Sequence, residues 1–300
     1  MIIAIKLSLS DFYIQKPRSQ FYIYGSIKIY MQFINNPSLK HYFFKDVVRI
    51  NYLQDVEPQL ISDYGYTYIM VRYGKFKAFD YKGNTLEIPK VFIKGTGDFF
   101  NVQAFKDSSW LTFELPNHVL HNITKIHSTI NRNKLIDLAL YVDLDIINSL
   151  YKHLREANGI EEIVAIIDYH LRDYYKDWSA LLPSVEVVDY IFNKKGMLPV
   201  KELTKKFPYS ERTLERIFHK EVGATPYRFI CLVRFNYIIR ELQKNEYKTL
   251  TELIQQYDYY DQSHFEKDFK KFLGQSIKEY KNDFNPLLEK GLSRAYIKTN

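Results

Sequence analysis

The chain has 300 residues, 46% of them hydrophobic and 26% charged, which excludes a disordered polypeptide and asks for two or three cores rather than one. Lys and Arg number 42 against 35 Asp and Glu, and the net charge of +7 favours polyanionic partners, because neutralised phosphates release condensed counterions. A single cysteine, Cys231, excludes an internal disulfide and the multi-cysteine zinc sites, and fits a reducing compartment.

The opening segment, Met1 to Lys6, has no basic n-region and a very short apolar run, unlike a signal peptide. No stretch approaches the roughly eighteen apolar residues of a membrane helix, so the expectation is a soluble, cytoplasmic chain without a membrane partner. The 26 Tyr and 21 Phe read as core filling rather than as a stacking platform for single-stranded nucleic acid.

Residues 41–115 read as strands and turns. Tyr66–Tyr73 is β-branched and aromatic and stops at Gly74, and Lys75–Tyr81 alternates apolar and polar before the turn signal Lys82-Gly83-Asn84. Val91–Ile93, Phe99–Phe105 and Trp110–Leu115 add three more, a spacing that predicts an antiparallel sandwich or barrel. After Pro116 the period becomes helical: helices are predicted over 133–141, 143–157 and 160–175, the second stopped by Asn158-Gly159. Trp178–Leu182 reads as a linker. From Pro183 the helices are short and punctuated. Ser184 is expected to cap the first, Pro199 to open the second, Ser210 to cap the third and Pro226 to open a long fourth; Thr249, Asp261 and Ser276 start the rest, with Gly196, Gly223 and Gly274 as stops. The fold class is therefore α+β: a β-rich domain over 1–130, helices over 131–182 that connect or dimerise, an all-α domain over 183–285, and a tail over 286–300.

Two segments of the last domain have helix-turn-helix spacing. In the first, Leu203, Phe207, Leu214 and Phe218 fall inside, leaving Arg212, Thr213, Glu215 and Arg216 on the outer face of a helix capped by Ser210. In the second, Phe265, Phe269 and Phe272 fall inside, leaving Gln262, Ser263, His264, Glu266 and Lys267 outside. Such helices fit the major groove, where Arg can make two bonds to guanine and short polar side chains reach base edges and phosphates. The charge is not concentrated there, since residues 183–285 hold 18 basic and 15 acidic residues.

These residues resemble the AraC/XylS family of bacterial transcription regulators. The resemblance rests on Ser210-Glu211-Arg212-Thr213-Leu214-Glu215-Arg216-Ile217-Phe218, on Gly223-Ala224-Thr225-Pro226 before the long helix, on Arg234 within it, and on Asp261–Phe265 followed by Phe269-Lys270-Lys271-Phe272-Leu273-Gly274. The chain departs from the pattern at Asp258, where the family usually has glycine, at Ile254, where it has a small residue, and at Ser276-Ile277, where it has Thr-Pro. The resemblance implies double-stranded DNA as partner, with Arg212, Arg216, Gln262, Ser263, His264 and Lys267 carried over as contact residues. It also implies an N-terminal regulatory domain, often a small cupin-like barrel, and leaves open a small-molecule effector, RNA polymerase as a partner of an activator, and a homodimer.

No cofactor and no catalytic residue is expected. His118, His121 and His127 lack the spacing of a metal-binding cupin, so no metal is expected either; Cys231 reads as a buried structural thiol. The competing reading is a small-molecule- or metal-binding β-barrel protein with a degenerate DNA-binding domain.

Overall fold

The computed structural model describes residues 18–24, 27–34, 46–175 except 64, 98, 116, 126, 132 and 133, then 182–244 and 249–282. The opening segment, all but the last residue of the Trp178–Leu182 linker, and the tail over 286–300 lie outside the described residues.

The strands in chain order are β1 (Arg18–Tyr24), β2 (Ile27–Ile34), β3 (Asp46–Tyr52), β4 (Val56–Ile61), β5 (Thr67–Tyr73), β6 (Phe76–Phe79), β7 (Thr85–Leu86), β8 (Val91–Lys94), β9 (Phe100–Ala104), β10 (Ser109–Leu115) and β11 (Leu135–Asp137). They form two antiparallel sheets, ordered β1-β2-β3-β10-β5-β8-β11 and β4-β9-β6-β7. The inner strand β5, Thr-Tyr-Ile-Met-Val-Arg-Tyr, shows why the large sheet is covered on both faces. Tyr68 and Met70 join one core with Trp110, Phe92 and the small sheet's Phe100 and Val102, while Ile69, Val71 and Tyr73 join a second. Successive side chains of a strand point to opposite faces, so a strand buried twice reads as a continuous apolar run.

The second core is closed by α1 (Val119–Thr124), α2 (Leu144–Glu156) and α3 (Ile160–Tyr175). Ile147, Leu150 and Leu154 of α2 and Ile163, Ile167 and Leu171 of α3 lie on the sheet, whereas Tyr169 turns outward at 67% exposure. Asp143 caps α2 by accepting from the Asp145 and Ile146 amides at 2.9 and 3.4 Å. Its other end is closed by Arg49 of β3, whose guanidinium donates to the carbonyls of Leu154 and Ala157 at 2.6 and 2.9 Å.

Two expectations change here. The helix expected over 133–141 does not form across the described residues 134–141: Leu135–Asp137 is strand β11, paired with Phe92–Lys94, and Leu138–Leu140 is a 3-10 turn in which Asp137 accepts from the Ala139 amide at 3.0 Å. Nine residues with apolar spacing suit either period, and the open edge of β8 decides for strand. Strands β1 and β2, which pair in register from Arg18–Phe33 to Tyr24–Ile27, lie ahead of the region read as sheet.

The remaining helices are α4 (Ser184–Asn193), α5 (Val200–Lys206), α6 (Glu211–Glu221), α7 (Pro226–Lys244), α8 (Leu250–Gln256), α9 (Gln262–Leu273) and α10 (Ile277–Asn282). Ser184 is not a cap but the first helical residue, and its amide donates instead to the buried carboxylate of Glu221, 3.0 Å away at the end of α6. Gly196, at φ +68°, is required as such: a Cβ there would lie 2.5 Å from the Ile230 carbonyl and the Arg234 amide of α7. The core between the two sheets continues without a break into these helices. Tyr66 stacks on Phe192 with ring centroids 5.0 Å apart, Gly65 lies against Phe192 and Phe229, and the buried Asn236 of α7 donates to the Asp63 carbonyl at 3.3 Å.

Candidate nucleic-acid interface

Helices α5 and α6 form the first helix-turn-helix. Leu203, Leu214, Ile217 and Phe218 are buried, and Ser210 accepts from the Thr213 amide at 3.2 Å, which starts α6. The Ser210 and Thr213 hydroxyls also pair with each other, 2.9 Å apart. Arg212 and Arg216 are exposed one turn apart, while Thr213 is half-buried and engaged in the cap. The unit is held to α7 through the edge-on pair Phe218–Phe229 and to α4 through Tyr190, which packs on Phe207 and donates to Glu202 at 2.8 Å.

The second unit is α8 and α9. Asp258 occupies the turn at φ +58°, so the residue standing where the resemblance leads one to expect glycine does adopt the left-handed backbone. Ile254, the other departure, is buried at 1% exposure and fills the core that a smaller side chain would leave partly empty. Asp261 caps α9 by accepting from the His264 amide at 2.7 Å. Phe265, Phe269 and Phe272 surround Phe235 of α7. Tyr259, buried in the turn, donates to Asp268 at 3.0 Å under the Arg234 guanidinium, which places the Arg234 of the resemblance in a tie between α7 and the second unit. Burial, then the Asp268 charge, pushes the Tyr259 phenol well above its ordinary pKa, so it remains a donor. Ser276 and Glu279 reproduce a capping box, the Glu279 amide donating to Ser276 at 3.2 Å and the Ser276 amide to Glu279 at 2.6 Å.

Gln262, Ser263, His264 and Lys267 are all exposed. Gln262 donates to Glu266 at 2.8 Å within the helix. Among the described residues no ion pair engages Arg212, Arg216 or Lys267. Tyr260 is 91% exposed beside the Asp261 cap. Rod α7, 19 residues long, is about 28 Å at 1.5 Å per residue. Cys231 is buried in it.

In the N-terminal region His121 is buried, His118 half-buried and His127 exposed. A cleft lined by Lys94, Gly97, Phe99, Phe100, Lys134 and Leu135 has a volume of about 20 Å³, room for a water but not for an organic effector as the side chains stand.

Two capped helices, each packed by aromatic rings on a shared rod, the first presenting Arg212 and Arg216 outward and the second Gln262, Ser263, His264 and Lys267, define a DNA-binding helix-turn-helix protein. Residues 203–283 match the family described as "Helix-turn-helix domain". That domain is of the AraC type, so residues 203–283 form the kind of DNA-binding domain found in that family of transcription regulators. No curated protein matches the sequence. Among solved structures, ToxT from Vibrio cholerae is similar at 12% identity and TM-score 0.44, over 78% of this chain and 95% of that one. The AraC-like transcriptional activator CuxR gives 14% and 0.25, over 80% and 84%. A predicted oxalate decarboxylase from Thermotoga maritima gives 15% and 0.25, over 35% and 94%. None of these scores reaches 0.5.

Proposed function

We propose that the chain is a sequence-specific regulator of transcription that lays the N-terminal turns of α6 and α9 in successive major-groove segments of one duplex, under the influence of its N-terminal domain. The observation that carries this is the pairing of the two outward faces on one rod. The first bears Arg212 and Arg216; the second bears Gln262, Ser263, His264 and Lys267. A rod of about 28 Å suits a separation close to one turn of DNA, about 34 Å. Arg216 and Lys267 serve as the cations of the two faces, and Thr213 serves the cap. The direct contacts between the sheets and the DNA-binding helices supply a route for regulation, and an effector of the N-terminal cleft would have to open it.

Binding to duplexes selected by the wild-type protein from a random pool tests the assignment. Arg216→Ala and Lys267→Ala should each weaken binding by about 1–3 kcal/mol, and each lost phosphate contact should make the slope of log affinity against log salt shallower by about 0.9. Unchanged affinity and slope in both variants would remove these residues from the interface.

A further inference from the structure

The connection between β8 and β9 touches the C-terminal ends of both recognition helices. Thr96, buried at 4% exposure, donates from its hydroxyl to the carbonyl of Val222, the residue that closes α6, at 2.6 Å. Phe99, three residues on, lies across Gly274, the left-handed residue that closes α9; a Cβ on Gly274 would overlap the Phe99 ring. The connection is itself pinned. The fully buried carboxylate of Asp63 accepts from the Gly97 amide at 2.7 Å and from the Gly65 amide at 2.8 Å, and the same residue's carbonyl receives Asn236 of α7.

From this juxtaposition we infer that Thr96 and Phe99 are positioning residues that set the register between the two recognition helices, and hence the spacing of the two DNA segments the protein accepts. Each recognition helix is held on its flank by α7, through Phe218–Phe229 and through Phe235 with Phe265, Phe269 and Phe272. A helix gripped only along one flank can still pivot about that line. Ties at its end limit the pivot; at α6 the Thr96 bond adds to the one between Glu221 and the Ser184 amide, and one short connection reaches the ends of both helices. Base contacts are made by the N-terminal turns of recognition helices, so a clamp on the opposite ends leaves the reading faces open and acts while DNA is bound. The clamp spends no interaction with DNA itself; its effect is to keep the pair rigid, so that a site of the wrong spacing loses one unit's contacts.

This inference rests on the two-segment reading proposed above, and the experiment separates the two. The probe is the duplex selected by the wild-type protein, together with versions in which one base pair is inserted or removed between the two protected segments. Each change moves the second segment about 3.4 Å along and roughly 35° around the duplex. Wild type should bind the altered duplexes about tenfold or more weakly than the selected one, a ratio in the range set by losing a base-pair contact. Thr96→Val combined with Phe99→Ala should reduce that ratio to about twofold, and Thr96→Ser combined with Phe99→Tyr, which keep the hydroxyl and the ring, should restore it. The ratio is chosen because partial unfolding lowers the active fraction equally for every duplex and cancels. A wild-type protein that protects a single segment, or none, overturns the two-segment reading and this inference with it. A wild type that discriminates spacing, beside a Val–Ala variant that discriminates equally well, overturns the clamp alone.

Discussion

Asp258 carries the turn of the second unit at a positive φ that costs most residues about 1 kcal/mol or more, and does so with a short polar side chain that tolerates the left-handed region. Replacing it with a β-branched residue should cost more than replacing it with glycine. Asp258→Val is expected to destabilise the protein by about 1–3 kcal/mol, and Asp258→Gly to leave it unchanged or slightly more stable, both measured by urea denaturation. Equal effects of the two would show that the turn relaxes out of the left-handed region. At this scale the sequence was informative wherever a residue type has one local use. Ser210, Asp261 and Ser276 accept from the amides expected of caps, and the glycines at 196, 223 and 274 all have positive φ. It misled at Ser184, because what satisfies that helix start is Glu221, 37 residues away, and no local pattern reports a partner so distant.

Among the elements, the α2–α3 pair has a titratable contact on its outer side. His153 Nδ1 and His170 Nε2 are 2.9 Å apart, with ring centroids 5.1 Å apart, hydrogen-bond distance for a neutral pair in which one ring donates and the other accepts. Burial, and then the neighbouring His153, lowers the His170 pKa below its ordinary 6.5. The unfolded chain therefore binds protons at this position more readily than the folded one. The contribution of His170 is complete above pH 6.5 and is lost as the pH falls through its folded value. The melting temperature should fall between about pH 7.5 and pH 5.5, and His170→Gln should flatten that dependence. A variant with the wild-type pH profile would assign the effect elsewhere. Elements were legible in proportion to their length and punctuation. Six of the seven C-terminal helices start where their caps or prolines put them, and the first starts one residue early, at Ser184. Leu135–Asp137 was not legible, because a three-residue edge strand is made by the vacancy beside β8 and not by its own composition.

For the molecule as a whole, the change from strands to helices along the chain is not a gap in space. The stacked Tyr66 and Phe192, with Phe229 edge-on to Phe192, form one core shared by the sheets and the DNA-binding helices. Phe192→Ala should therefore destabilise both parts together, by about 3–5 kcal/mol, with far-ultraviolet and aromatic signals still changing in one transition. Two separated transitions in the wild type would contradict a shared core. The outer faces of α6 and α9 could be read from a single sequence because helix periodicity says which side is dry. The ties from Thr96 and Phe99 could not, since they join residues more than a hundred positions apart through a connection with no motif of its own.

The carboxylate of Asp63 has an implication for how such a protein can diversify. Its oxygens hold two loops of the N-terminal domain while its own carbonyl receives the rod of the C-terminal one, so the three cannot drift independently. Exchanging the N-terminal half for another would succeed only where the incoming half holds a backbone carbonyl at the same corner to meet Asn236 of the rod, a position that the acid here fixes through its two loop amides. Modularity here has a lock, and Asp63 is one of its pins.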